Sequence, residues 1–144
     1  MGRDPERTPM PWDASPLAGF TTGKPWLPLG PDHPSVNIAT LNQDEGSILH
    51  LYRKLILLRQ AHCELVTGKM GSIAAEDNLL RYERARSAKR FLILLNMGHD
   101  PIQAVTENGT ICMSTYLDRG GERVNGAVGL RASEGMMIRL TVSL

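Results

Sequence analysis

Aromatic residues are scarce in this chain of 144 residues: two Trp, three Tyr and two Phe, with five of the seven before or at Tyr82. Sugar-binding faces usually present exposed rings, and after residue 68 only Tyr82, Phe91 and Tyr116 remain, with Phe91 opening an apolar run. Charge of one sign is also lacking. With 16 basic and 15 acidic residues the formal net charge is +1, which gives no electrostatic reason to expect nucleic acid or an anionic membrane as partner. There is no apolar run near 18 residues, so no membrane-spanning helix is predicted, and no signal peptide opens the chain. A cytoplasmic product is the expectation, although a fragment without its true N-terminus would have lost any export signal. The two cysteines, Cys63 and Cys112, have no Cys-x-x-Cys spacing and read as free, mostly buried thiols. His33, His50, His62 and His99 show no metal-ligand spacing, and neither a phosphate-binding glycine loop nor a Gly-x-Ser-x-Gly elbow occurs. No metal and no cofactor are expected.

What is present is concentrated at the start. Arg3, Asp4, Glu6, Arg7 and Asp13 are interrupted by Pro5, Pro9 and Pro11. Each proline removes an N–H donor and restricts its predecessor, so the run reads as a rigid, irregular loop. On composition alone, Arg3 and Arg7 staple the loop by pairing with Asp4, Glu6 and Asp13. The other reading is a guanidinium fork held in place for a carboxylate or a sugar hydroxyl.

The irregular character extends from residue 14 to 46, with Pro16, Pro25, Pro28, Pro31 and Pro34 and with Gly19, Gly23 and Gly30. A helix is predicted over Ser47 to Ala61. Asp44 or Ser47 serves as its cap, and Ile48, Leu51, Tyr52, Leu55 and Leu58 follow the i, i+3, i+4 pattern of a buried stripe. At 1.5 Å per residue it spans about 22 Å. Gly68 and Gly71 end that pattern, and short strands follow.

The strands are expected at Asn78 to Glu83, Arg90 to Asn96, Pro101 to Val105, Thr110 to Leu117, Val128 to Arg131 and Met136 to Val142. Arg90 to Asn96 is the most apolar and reads as a central strand buried on both faces. The segment Ala85 to Lys89 supplies a hairpin, Glu107-Asn108-Gly109 a turn suited to φ > 0, and Ser133-Glu134-Gly135 a tight turn. The basic stretch Arg81 to Arg90 reads as the solvated face of that hairpin. Six to eight antiparallel strands in about 75 residues predict a small β-sandwich or Greek-key domain. The fold class is therefore mainly β: a C-terminal antiparallel domain preceded by an irregular Pro-rich arm and one long amphipathic helix.

The words Gly2-Arg3-Asp4-Pro5-Glu6-Arg7-Thr8-Pro9-Met10-Pro11-Trp12-Asp13, Ala18-Gly19-Phe20-Thr21 and Lys24-Pro25-Trp26-Leu27-Pro28-Leu29 resemble the late-barrel segment of α-glucosidases and oligo-1,6-glucosidases of the α-amylase superfamily. Ser47 to Arg59 resembles the helix that follows it there. The common form of the first word has Gln where this chain has Pro11.

The resemblance implies a chain made of the end of a (β/α)8 catalytic barrel, 1–67, and a C-terminal β-domain, 68–144. It makes the helix the last one of that barrel and Trp12, Phe20, Trp26 and Leu27 anchors against it. A whole barrel needs about 200 residues or more. The family's catalytic carboxylates lie upstream of the first word, so no catalytic residue is expected here and the chain alone is expected to be inactive.

Arg7 and Arg3 are implied as substrate-binding residues in the complete enzyme, whose partner is an α-glucoside oligosaccharide. Without barrel neighbours, the helix and the N-terminal arm would leave apolar surface open, and a homo-oligomer through them is expected. The alternative is a non-catalytic β-sandwich that acts as an interaction or carbohydrate-binding module.

Overall fold

The computed structural model describes residues 7–141. The chain divides into two compact units, Met1–Arg53 and Lys54–Leu144, with the boundary inside a helix. The elements are α1 (Ile38–Gln43), α2 (Ile48–Ala61), α3 (Cys63–Thr67), β1 (Lys69–Glu76), β2 (Leu79–Arg86), β3 (Lys89–Asn96), β4 (Ile102–Val105), β5 (Gly109–Ser114), β6 (Arg123–Val124), β7 (Ala127–Leu130) and β8 (Gly135–Leu140). The fold class is mainly β and antiparallel, as the turn spacing predicts.

In the second unit six strands form one sheet in the order β1-β2-β3-β8-β5-β6, and β4 and β7 form a separate pair. Every described pairing is antiparallel. The side chains of β3 alternate between two cores. Leu92 and Leu94 join Ile111, Ile138 and Leu140, together with Ala104, Val128 and Leu130 of the small sheet. Phe91 and Ile93 face the other way and meet Leu65 of α3, with Leu58 and Tyr82 packed beside them. Burial of each large side chain contributes about 1.5–3 kcal/mol, and β3, with two buried side chains in each core, ties both layers together. The reading of Arg90 to Asn96 as a central, doubly buried strand holds.

Several expectations are corrected. The segment 14–46 is not wholly irregular, because α1 forms over Ile38–Gln43. Asn37 caps it: its Oδ1 accepts from Thr40 N at 2.9 Å, and its Nδ2 donates to His33 O at 2.9 Å. Two further N–H groups of this first turn, Ile38 and Ala39, donate to the carbonyls of Pro11 and Trp12, each at 3.0 Å. A six-residue helix is too short to show a period and is held by caps instead.

The helix α2 starts one residue after Ser47, whose Oγ accepts from His50 N at 3.4 Å and donates to Leu41 O at 2.7 Å. Asp44 caps its own turn by accepting from Gly46 N. The expected buried stripe is absent: no residue of α2 is buried. In its second-unit half Leu58 meets the sheet, while Leu57 is 63% exposed, because that short stretch has only one face of one sheet to cover it.

The turn at Glu107-Asn108-Gly109 has no positive φ. Strand β4 pairs with β7 and not with β5, so these residues cross between sheets. Gly109 serves a close approach, since a Cβ there would lie 2.7 Å from Arg139 O. Positive φ occurs instead at Asp77, Ser87 and Ser133, each in a turn beside a strand. Cys63 and Cys112 are free, but Cys63 is exposed, contrary to expectation. It opens α3, where Glu64 and Leu65 turn inward and leave it outside.

Candidate functional site

Each unit offers one constellation built from charged side chains. The first lies in the Pro-rich loop. Ala18 and Gly19 both adopt positive φ, 53° and 63°, which folds the loop back so that Ala18 O accepts from Trp12 N at 2.8 Å. Asp13 fixes the same turn by accepting from Ser15 N at 2.9 Å. The Ser15 hydroxyl and its backbone N–H hold the Asp13 carboxyl below its ordinary range. A Cβ at Gly19 would lie 2.6 Å from Asp13 Oδ2, so the turn requires glycine there on two grounds. Asp13 therefore staples the loop through Ser15, not through an arginine as composition led one to expect.

On this frame Arg7 is exposed, and its guanidinium carbon lies 6.0 Å from the ring centroid of Trp26. That is the outer limit of a cation–π contact. Trp26 is 83% exposed, and Trp12 and Phe20 are also exposed, while Leu27 is buried. The loop therefore carries two cations, Arg7 and Lys24, and three exposed rings on a hydrogen-bonded support. Arg3 lies outside the described residues.

The second constellation was not legible in the sequence. Glu134 is 1% exposed, yet charged. Its Oε1 accepts from Ser114 Oγ at 2.6 Å and from Arg131 Nη2 at 2.7 Å, and its Oε2 accepts from the Arg131 backbone N at 2.8 Å. Burial pushes the Glu134 carboxyl up, but the donors of Arg131 and Ser114 outweigh it and leave it below the ordinary range. Arg131 also grips Asp118 at 2.6 and 2.8 Å and lies 4.0 Å over the Tyr116 ring. At the opposite end of β3, on the same face of the sheet, Arg90 holds Glu83 through Nε at 3.1 Å and Glu107 through Nη2 at 2.7 Å. Thus part of the basic stretch Arg81 to Arg90 is ion-paired, not simply solvated.

Glycoside hydrolysis with retention needs one carboxyl kept protonated as acid and a second, about 5 Å away, as nucleophile. The three carboxylate pairs that come together among the described residues, Glu83 with Glu107 across Arg90, Asp118 with Glu134 across Arg131 and Glu122 with Glu134 across Arg119, are each bridged by an arginine. The described carboxyls displaced from their ordinary range, Asp13, Glu64, Glu107, Asp118 and Glu134, are all displaced downward. These are structural ion pairs in chemistry as well as in geometry. Among the described residues no group of three or more His, Cys, Asp or Glu side chains could hold a metal ion, and no helix is long and apolar enough to cross a membrane.

Comparison with known proteins adds the family. Residues 1–68 match the α-amylase catalytic domain family. The oligo-1,6-glucosidase of Parageobacillus thermoglucosidasius is 40% identical over 96 residues, covering 66% of this chain and 17% of the relative. The glucan 1,6-alpha-glucosidase of Streptococcus pneumoniae is 34% identical over 111 residues, covering 77% of this chain and 21% of the relative. Among solved structures, the trehalulose synthase MutB of Pseudomonas mesoacidophila MX-45 superposes with a TM-score of 0.88 at 26% identity, covering 97% of this chain and 26% of that one. The isomaltulose synthase of Klebsiella sp. LX3 gives 0.87 at 25% identity, with 97% and 26% covered. The chain thus spans about a fifth of the length of the curated relatives it matches. By its opening words, by these relatives and by its fold, the chain belongs to the α-glucosidase-like part of the α-amylase family, glycoside hydrolase family 13.

Proposed function

We infer that the chain is the C-terminal part of an α-glucosidase that releases terminal α-linked glucose from oligosaccharides. It comprises the loop after the last barrel strand, the last barrel helix and, from about residue 68, the β-domain. The observation that carries this reading is the extent of the likeness: 97% of the chain superposes on 26% of the trehalulose synthase chain, with the catalytic-domain match confined to residues 1–68.

Two features support it. The rings at Trp12, Phe20 and Trp26 and the uncovered side chains Tyr52 and Leu57 are apolar surface of the kind that the rest of a barrel would bury. Among the described residues the paired carboxylates of the β-domain are each held by an arginine, which suits a stabilising role rather than chemistry. Arg7, with Arg3, would serve at the sugar-binding end of the complete barrel, where a guanidinium bonds hydroxyls or orients a carboxylate. Arg7→Lys in a complete glucosidase bearing the same word should raise KM for an α-glucoside more than it lowers kcat.

The purified 144-residue chain should release no p-nitrophenol from p-nitrophenyl α-glucoside above buffer, beside a complete glucosidase as control. Turnover that survives repurification and disappears when one acidic residue of this chain is changed would overturn the reading. The open helix and arm should also drive self-association, which Leu57→Lys should weaken in sedimentation.

The alternative, a carbohydrate-binding module, has little support. In the β-domain Phe91 is buried, Tyr82 is half-buried, and Tyr116 is stacked under Arg131 with its hydroxyl donating to Ala132 O at 2.9 Å.

A further inference from the structure

The large sheet has two unlike edges. One ends on β6, only two residues long, which is a common way to blunt an edge. The other ends on β1, eight residues long and exposed at all but one position. Among the described strands β1 pairs only with β2, so the backbone N–H and C=O groups of its outer edge face no strand. Edges of this length are normally blunted by a proline, a charge, a lysine or a bulge; β1 reads Lys69-Met-Gly-Ser-Ile-Ala-Ala-Glu76, with a bulge in its first half and charges only at its two ends, so its middle has neither proline nor charge.

The register of β1 on β2 shows what this edge fits. Lys69 lies opposite Ala85 and Met70 opposite Arg84. After the bulge Ile73 lies opposite Tyr82, and Ala74, Ala75 and Glu76 follow opposite Arg81, Leu80 and Leu79. The bulge at Gly71–Ser72 thus sets two residues against the single position of Glu83, and Ile73 becomes the midpoint of the ladder. Because Ala85 and Leu79 are separated by an even number of residues on β2, Lys69 and Glu76 stand on the same face of the sheet. Without the bulge they would stand on opposite faces.

We propose that β1 is a dimerisation edge that pairs antiparallel with β1 of a second copy about a two-fold axis at Ile73. A two-fold axis perpendicular to a sheet keeps each side chain on its own face, so only positions of like face can stand opposite each other. That condition is met here. Lys69 of one copy stands opposite Glu76 of the other, at both ends of the ladder. Met70 stands opposite Ala75. Ile73, 60% exposed, meets Ile73 of the second copy at the axis. Among the described residues neither Lys69 nor Glu76 has an ion-pair partner within the chain. The nearest competing register that keeps like faces opposite each other is a slip by two ladder positions, which sets Lys69 opposite Ala74 and leaves both charges unpaired, so the register is specified. The occupant is a second copy rather than a foreign strand because the charge order along β1 is complementary to its own reverse. The bulge shortens the regular ladder and the charge pairs are exposed, so the dimer is weak and weakens further in salt.

Sedimentation velocity of the full chain over a concentration series tests this, with Lys69→Glu, Glu76→Lys and the double swap. A reversible dimer is expected. Each single reversal places two like pairs in the interface and should weaken it about tenfold. The double swap should restore it, and that recovery also shows that the reversals leave the fold intact. Ile73→Arg should remove the dimer, and β1 amides should gain hydrogen-exchange protection as concentration rises. A chain that is monomeric throughout would overturn the proposal. So would a dimer that ignores the reversals but dissolves on Leu57→Lys; that result would assign association to the open helix and leave the glucosidase reading standing.

Discussion

Arg131 binds Glu134 three times, through its side-chain Nη2 at 2.7 Å and Nε at 3.2 Å and through its own backbone N–H at 2.8 Å, and so closes the turn that leads into β8 around a buried charge. Removing one partner of such a pair leaves the other desolvated and unpaired, which costs about 3–5 kcal/mol for a fully buried pair. Arg131 is partly solvated, and Arg119 Nη1 remains 3.7 Å from Glu134 Oε2, so Arg131→Ala should lose less, about 2 kcal/mol, in denaturant unfolding. Glu134→Gln, which keeps the shape and part of the hydrogen bonding, should lose less. Equal losses would show that charge plays no part.

Stability should fall in acid. The carboxyls of Glu134, Glu107 and Asp118 are held below their ordinary values by Arg131 and Arg90, against the opposing effect of burial. A carboxyl with a depressed folded-state pKa contributes stability that is complete above its unfolded value. That contribution is lost as pH falls through the folded value, which here means below about 4.5 for the two glutamates and 3.8 for the aspartate. Melting temperature should be flat from pH 7 to 5.5 and drop steeply below 4. A chain that melts alike at pH 7 and pH 3 would contradict this linkage.

Gly109→Ala should be costly although its φ is ordinary. The new methyl would lie 2.7 Å from Arg139 O and 2.8 Å from Ile138 Cγ2, and backbone cannot swing aside as a long side chain can. Overpacking of this kind costs about 1–3 kcal/mol. Gly23→Ala is the control, because nothing lies within 4 Å of its added carbon. Chemical denaturation of the two variants side by side measures the difference.

Asn37→Ala should unwind α1 and loosen the loop before it. The side chain supplies the cap bond to Thr40 and two bonds back to His33 and Pro34, and loss of a cap alone costs about 1 kcal/mol. Asn37→Asp should retain the cap and lose the donated bonds. Trp12 donates to Ala18 and accepts from Ala39, so its indole fluorescence reports the loosening.

Long-range architecture was legible where a sequence signal was redundant. Phe91 to Leu95 is apolar on both faces and could only be a central strand, and Ala85 to Lys89 brackets a turn that the structure closes at Ser87–Ala88 between Arg86 and Lys89. The eight strands fall within the range that the turn spacing predicts. The elements α1, α3, β1 and β6 were missed for a common reason: each is short or interrupted by a glycine or a cap, and each is held by partners distant in sequence. Pairing with Leu79–Ala85 makes a strand of Lys69–Glu76 despite Gly71. Leu65 draws α3 onto Phe91.

The Arg7 word was conspicuous, because proline and charge seldom crowd together. The Glu134 cluster was not, since Ser114, Asp118, Arg131 and Glu134 become neighbours only after β5 and β8 pair. Asn37 alone left a usable trace, as an Asn three residues before Thr40 at the head of a helix.

Strand β3 has a kinetic consequence. Its odd-numbered side chains Phe91 and Ile93 belong to one core and its even-numbered Leu92 and Leu94 to the other. Neither layer of the β-domain can open without drawing this strand out of the second. Subglobal opening is therefore suppressed in the middle of the sheet, and the amides of β3 should exchange with deuterium only through global unfolding, at one shared rate. Those of the outermost strand should exchange through local excursions that leave the rest of the domain folded.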